Sequence, residues 1–174
     1  LATADFTTVD RKAPIVEIRN PTPASFVNGN AATYAFAVDA DSAIDRVELR
    51  VDAGPWMVAG VRSLAERLYG VQFPTLSDGP HLLEARAFDT FGNQASAAPV
   101  AFTVASASPE IIVRGVLDGE FYNAAVLPMV EINDAALASS TVSLNNFDFV
   151  SGDSVAADGE YVLNVFAVNE AGNS

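Results

Sequence analysis

The 174-residue chain contains no cysteine. That removes disulfide frameworks, thiolate zinc sites and cysteine nucleophiles together. Positive charge is almost as scarce. Nine Lys and Arg residues, with Lys12 the single lysine, stand against 22 Asp and Glu, for a net charge of −13. Nucleic acid and anionic membrane surfaces both recruit Lys and Arg, so neither is expected as a partner. No apolar run approaches the roughly 20 residues that cross a bilayer, and no signal peptide is visible, so no membrane insertion is expected of this stretch. Histidine and tryptophan occur once each, as His81 and Trp56. The GxSxG and HExxH signatures and phosphate-cradling glycine loops are missing too, which leaves no catalytic motif to build on.

What is present is apolar and periodic. Half of the residues are hydrophobic and 18% are charged, enough for packed cores and too apolar for disorder. The length suits one or two domains of about 100–150 residues. Period two dominates, the pattern of strands with one buried face. In IDRVELRVD, Val47, Leu49 and Val51 point one way, and Arg46, Glu48 and Arg50 the other. Tyr34, Phe36 and Val38 share a face in TYAFAVDA, and Tyr69, Val71 and Phe73 share one in RLYGVQF. Leu83, Ala85 and Ala87 face inward in the next run, and the outward Leu82 and Phe88 leave its other face partly apolar and in need of cover. Turn residues in NPTPASFVNGN, DAGPW and SDGP separate these runs. VRSLAERL at 61–68 contains good helix formers but is short enough for a single turn, and no long helix is expected. Short alternating strands at this spacing predict a β-sandwich.

One stretch is written twice. LSDGPHLLEARAFDTFGN at 76–93 returns in outline as AADGEYVLNVFAVNEAGN at 156–173. Aligning Asp78-Gly79 with Asp158-Gly159 places His81 on Tyr161, Leu83 on Leu163, Ala85 on Val165, Ala87 on Ala167, Asp89 on Asn169 and Gly92-Asn93 on Gly172-Asn173. VDAGPWM has its counterpart in SLNNFDF, a strand followed by a tight hairpin. Two copies of one supersecondary plan follow. After Gly92-Asn93 the first copy runs on through APVAFTVASASPEIIV. TADFTTVDRKAPIVEI at the N-terminus has the same plan, so residues 1–9 read as the closing strand of an earlier copy or as linker.

DRKAPIVEI, VDAGPW, the DG-x-H/Y-x-L pattern, A-x-D/N-x-x-GN and, in the second copy, GVLDGEFYN and TVSLNNFDFVSG resemble the bacterial Ig-like domains. These occur in tandem in large surface adhesins and as modules attached to secreted enzymes. The resemblance covers nearly the whole chain. It implies an all-β fold of two tandem Ig-like antiparallel β-sandwiches with Greek-key connections. Domain 1 would span 10–105 and domain 2 would span 106–174, lacking its last strand. It also implies an extracellular or cell-surface location and the role of stalk, spacer or adhesive module.

Each candidate site has a structural alternative. His81 as a general base needs a nucleophile or carboxylate held against it. The tyrosine at the matching place in copy two points instead to a corner residue, an aromatic ring whose polar tip bonds backbone as in the tyrosine corner of Greek-key sandwiches. Calcium is the metal the chain suits. In an Ig-type sandwich the N-terminal segment shares an end with the loops after strands two and six, which would gather Asp10, Asp39, Asp41, Asp45 and Asp89. Calcium takes six to eight oxygens from carboxylates, carbonyls and water. Copy two has fewer carboxylates in the equivalent loops, NDAALAS and VNEAGN, so its claim is weaker. Trp56 could stack on a sugar ring or cover the sandwich edge. Lys12 lies in a linker, which rules out an isopeptide crosslink.

The expected function is therefore non-catalytic: a stalk, spacer or adhesive segment of an exported bacterial cell-surface protein, with neighbouring Ig-like repeats of the same chain as its first partners. The alternative is a carbohydrate- or protein-binding module attached to a secreted hydrolase, whose partner would be carbohydrate or a host or cell-surface protein. A head-to-tail strand exchange, with residues 1–9 completing copy two of a second chain, is a further expectation.

Overall fold

The computed structural model describes residues 9–174, which form two compact units divided between Ala105 and Ser106. The closing strand expected at residues 1–9, and the strand exchange that would use it, fall almost wholly outside the described residues. Val9 itself belongs to no strand.

The first unit contains β1 (Ile15–Asn20), β2 (Phe26–Val27), β3 (Thr33–Val38), β4 (Ile44–Val51), β5 (Met57–Val58), β6 (Gly60–Ser63), β7 (Leu68–Val71), β8 (Gly79–Asp89), β9 (Gln94–Ser96) and β10 (Val100–Val104). One sheet has the order β1-β3-β7-β6, the other β2-β10-β8-β4-β5 with β9 on β8. Their inner faces meet in a core of Ala35, Ala37, Val47, Leu49, Leu83, Ala85, Ala87, Phe102 and Val104. Strands β9 and β10 follow the same edge of β8 and are separated at residues 97–99. Pro99 lies there and has no N–H to give to a ladder. Strand β2 joins β10 in parallel, Thr103 opposite Phe26 and Val104 opposite Val27, so the sandwich is not wholly antiparallel as expected.

Residues 61–68 form no helix: β6 and β7 are a hairpin closed by a turn in which Arg67 adopts φ +57. The face assignment of β3 is also informative. Its buried residues are Thr33, Ala35 and Ala37, while Tyr34, Phe36 and Val38 are half-buried on the outer side. Alternation reveals that two faces exist but not which one turns inward. Here the small residues leave room for Leu49 and Leu83 between the sheets. The outer rings are covered by guanidinium groups instead, Arg62 4.7 Å from the Tyr34 ring centroid and Arg19 5.4 Å from that of Phe36.

The second unit contains β11 (Glu110–Arg114), β12 (Met129–Asn133), β13 (Leu137–Leu144), β14 (Phe147–Asp148) and β15 (Leu163–Asn169). Strands β11 and β12 pair in one sheet, and β14-β13-β15 form another. The β13–β14 hairpin closes through Asn145 and Asn146 at φ +50 and +68, the left-handed pair that a two-residue turn of this twist requires and that asparagine tolerates. Strand β15 pairs with β13, and no described strand lies on its other edge, where unit 1 carries β9 and β10 on β8. Ala167 and Asn169 of β15 are buried, while Phe166 of the same strand is half exposed and Phe147 of β14 is largely exposed.

Candidate functional site

The loop after β8 folds back on Asp89. Its Oδ1 accepts the N–H groups of Phe91 and Asn93, both at 2.8 Å, and its Oδ2 accepts Asn93 Nδ2 at 2.7 Å. Gly92, at φ +87, supplies the left-handed residue that lets the chain turn within four residues. The loop after β3 wraps Asp39 the same way, its Oδ1 accepting from the amides of Asp41 (2.9 Å) and Ser42 (2.8 Å) and from Ser42 Oγ (3.0 Å). Asp10, on the segment leading into β1, is tied to the β8 loop by Asn93 Nδ2, 3.3 Å from its carbonyl.

These three elements bring one carboxylate oxygen each from Asp10, Asp39 and Asp89 within 4.8 Å of one another. Asp89 is 2% exposed, and the other two are half-buried. Asp10 Oδ1 accepts the Lys12 amide at 2.9 Å, but its Oδ2 is buried without any hydrogen-bond partner. Buried polar atoms are ordinarily paired. Three clustered carboxyl groups, one with an orphaned oxygen, suit an oxygen-seeking cation. The Asp39 carboxyl is held below the usual carboxylate range by the Asp41 amide, working against burial. For Asp89, burial pushes the other way, and the Asn93 side chain and amide outweigh it to hold the carboxyl low. Both therefore stay ionised at neutral pH.

Of the five carboxylates expected at this end, Asp41 and Asp45 do not join the cluster. Asp41 holds the Lys12 ammonium at 2.6 Å, and Asp45 holds Arg46 at 2.9 Å. Asp41, with Asp10 and Asp39 behind it, raises the Lys12 pKa. The chain's one lysine is thus a built-in counter-ion beside the cluster.

Unit 2 shows the same loop without the charge. Asn169 takes the place of Asp89, its Oδ1 accepting the Asn173 amide at 3.0 Å, with Gly172 at φ +83. Its Nδ2 donates to the Ala107 carbonyl at 2.9 Å and to Asp134 Oδ2 at 3.2 Å. Asp134 Oδ1 accepts the Ala136 amide at 2.7 Å, as Asp39 Oδ1 accepts that of Asp41. One amide group there links the entry segment to the carboxylate. Unit 1 puts a third carboxylate at the corresponding place.

His81 has a carboxylate partner, from a place the sequence did not suggest. Its Nδ1 lies 2.5 Å from Asp52 Oδ2, in the turn after β4, and its Nε2 lies 2.7 Å from the Ser77 carbonyl. The neighbouring Asp78 is not that partner. With both nitrogens engaged and the side chain 8% exposed, the ring has no free nitrogen to offer a substrate.

The outer face of β4 and β8 carries a feature that periodicity did not reveal. Cross-strand register sets Glu48 opposite Arg86, Arg50 opposite Glu84 and Arg46 opposite Phe88. Arg46 lies 3.6 Å from the Phe88 ring centroid, Arg86 4.2 Å from that of Trp56, and Arg50 4.5 Å from the same indole. Glu48 accepts from both Arg46 and Arg86, and Glu84 takes Arg50 in a two-pronged pair at 2.7 and 3.0 Å. The alternation of Arg and Glu along both strands was the available signal. The register that interleaves them comes only from pairing.

No protein-family model and no curated protein matches the sequence. Among solved structures, the fibronectin(III)-like modules of Clostridium thermocellum CbhA are similar over 91% of this chain and 88% of theirs, at 13% identity and a TM-score of 0.50. The endo-β-1,4-mannanase of Thermotoga petrophila is similar over 56% of this chain and 21% of its own, at 14% identity and a TM-score of 0.46. Dimeric latent PorU of Porphyromonas gingivalis is similar over 98% of this chain and 18% of its own, at 16% identity and a TM-score of 0.46. The chain thus spans about a fifth of the length of these two proteins. Identities this low establish fold alone, and the fold is an all-β sandwich of the fibronectin(III)-like and Ig-like kind.

Proposed function

We propose that the chain is a non-catalytic repeat segment, a stalk, spacer or adhesive stretch of an exported bacterial cell-surface protein, related to the tandem bacterial Ig-like domains. The observation that carries this reading is the recurrence, in both units, of one corner and one loop whose polar side chains close the turn by bonding backbone. His81, Asp89, Tyr161 and Asn169 all serve that scaffold. The apolar depression lined by Pro21, Val27, Phe73, Leu76 and Phe102 has room for about one water molecule, too little for a substrate. The resemblance to fibronectin(III)-like modules supports a module rather than an enzyme. The carbohydrate-binding alternative would call on Trp56, whose ring is already covered by Arg50 and Arg86. A glycan-array screen of the chain tests this: no reproducible binder is expected, and a sugar class bound by wild type and lost in Trp56→Ala overturns it in favour of a binding module.

Within that role, Asp10, Asp39 and Asp89 would hold calcium, which would supply positive charge and fasten the entry segment to the two loops of unit 1. The orphaned Asp10 Oδ2 supports the assignment. Extracellular modules bind calcium in the range of about 0.1–1 mM. Millimolar calcium should therefore raise the melting temperature of unit 1 by roughly 3–8 °C and chelator should return it. Trp56, the sole tryptophan, lies in unit 1 and reports its unfolding alone. An unmoved Trp56 transition in both conditions removes calcium from the proposal.

A further inference from the structure

The corner where the chain enters β8 is built around a charge. Both partners of the His81 ring, an Asp52 carboxylate oxygen and the Ser77 carbonyl, are acceptors. Both ring nitrogens must then carry protons, so the arrangement is complete only with an imidazolium. The other Asp52 oxygen accepts the Leu82 amide at 2.9 Å, so one carboxylate closes the β4–β5 turn onto β8 through ring and backbone together. Phe102 of β10 packs against the imidazole, ring centroids 5.6 Å apart, and limits the water that could replace a lost bond.

Unit 2 builds the same corner from neutral groups. Tyr161 Oη donates to the Ala157 carbonyl at 3.0 Å, reaching back four residues as His81 does to Ser77. Asn145 Oδ1 accepts the Val162 amide at 2.7 Å, as Asp52 accepts that of Leu82. Asn145 and Asp52 even share the left-handed backbone, φ +50 and +51.

We propose that the His81–Asp52 corner is a pH-operated clasp, closed while His81 is imidazolium and loosened on deprotonation, so that alkaline conditions open the β4–β5 turn of unit 1 while the Tyr161 corner of unit 2 stays shut. A neutral ring keeps one N–H, leaving a lone pair facing either the carboxylate or the Ser77 carbonyl in a shielded place. The titratable neighbours are few. Asp52 faces the ring from the β4–β5 turn, Asp78 is the one ionisable residue of segment 72–78, and β10 contributes none. Glu84, further along β8, is committed to Arg50.

Burial opposes the charge on His81, but the Ser77 carbonyl and the Asp52 carboxylate outweigh it and raise the His81 pKa above its ordinary value. A folded-state pKa above the unfolded value of about 6.5 gives stability that is complete below that value and is lost as pH rises through the raised one. For Asp52, burial pushes upward, but the Leu82 amide and His81 prevail and hold the carboxyl low, so the pair survives well into the acid range.

As the only histidine, His81 gives one set of imidazole ring signals in the NMR spectrum, free of overlap from any other histidine. Its titration midpoint in the intact chain is expected above about 6.5, and Asp52→Asn should lower it. Melting of unit 1, followed by Trp56 fluorescence, should fall in wild type as pH rises above about 6.5, and His81→Tyr, which copies the unit 2 corner, should flatten that fall. A wild-type midpoint at or below about 6.5 overturns the clasp whatever the variants do. Equal pH slopes in wild type and His81→Tyr overturn it as well.

Discussion

At one end of the strand near the close of each unit, unit 1 has His81 bonded to Asp52 where unit 2 has Tyr161 bonded to the Ala157 carbonyl and Asn145 bonded to the Val162 amide. At the other end, unit 1 has Asp89 beside Asp10 and Asp39 where unit 2 has Asn169 joining Ala107 to Asp134. The backbone bonds are the same in both: the amide after the corner residue, the four-residue reach back, and the loop closed by Gly92 or Gly172. The scaffold therefore needs an acceptor at a given point and does not specify its charge. On the proposed reading, carboxylates and imidazolium would make the scaffold of unit 1 answer to protons and cations. The amide and phenol at the matching points of unit 2 would answer less, Asp134 being the one carboxylate of its loop.

Four measurements can break or sharpen this comparison. The largest effect should come from the cores. Leu83→Ala, at a fully buried position, should cost unit 1 about 3–5 kcal/mol in urea unfolding followed by Trp56 fluorescence. Leu163→Ala, read by far-UV circular dichroism because Trp56 does not report unit 2, should cost unit 2 less than half as much, because Leu163 is half-exposed and solvent fills the space it leaves. Equal losses would mean that the two strands are packed alike. Next, Asn169→Asp removes the donor to Ala107 and sets a carboxylate against Asp134, and should destabilise unit 2 by about 1–3 kcal/mol. Millimolar calcium should recover part of that loss, and the reciprocal Asp89→Asn should abolish the calcium response of unit 1. A calcium shift unchanged in Asp89→Asn would place the ion elsewhere.

Acid should act on unit 1 next. The carboxyls of Asp39, Asp52 and Asp89 are held low, as is that of Glu48, where burial is outweighed by Arg46 and Arg86. Groups with depressed folded-state pKa values contribute stability that is present above the unfolded value, about 4, and disappears as pH falls through the folded one. The Trp56 transition should therefore move to lower temperature below about pH 4. An unchanged transition down to pH 2 would contradict it. The smallest effect belongs to Lys12→Gln. This exposed ion pair should add little to stability, yet removing a resident cation beside the cluster should tighten calcium binding a few-fold in isothermal titration. Weaker binding would mean that Lys12 orders the loop instead of competing with the ion.

Much of this was legible in the letters. Alternation located Val47, Leu49, Leu83, Ala85 and Ala87 in the core, and the repeat aligned His81 with Tyr161 and Asp89 with Asn169 before any contact was known. Asp10, Asp39 and Asp89 were named from their places in loops. Asp41 and Asp45 were named on the same reasoning and went elsewhere, because a carboxylate next to a reachable Lys12 or Arg46 pairs with it. The inward turn of Ala35 and Ala37, with Tyr34 and Phe36 left outside, was not legible. Period two is symmetric between faces, and the choice depends on what the opposite sheet must fit.

The sequence alone determined the main alternating strands, the duplication and the scarcity of cations, because these follow from residue spacing and composition. Tertiary structure decided which carboxylate met which partner. Asp52 lies 29 positions from His81, and Asp10 lies 79 positions from Asp89. Separations of that size are bridged only by strand register and sheet packing, and whether a charge finds a histidine, a lysine or another carboxylate depends on that pairing, which no local pattern encodes.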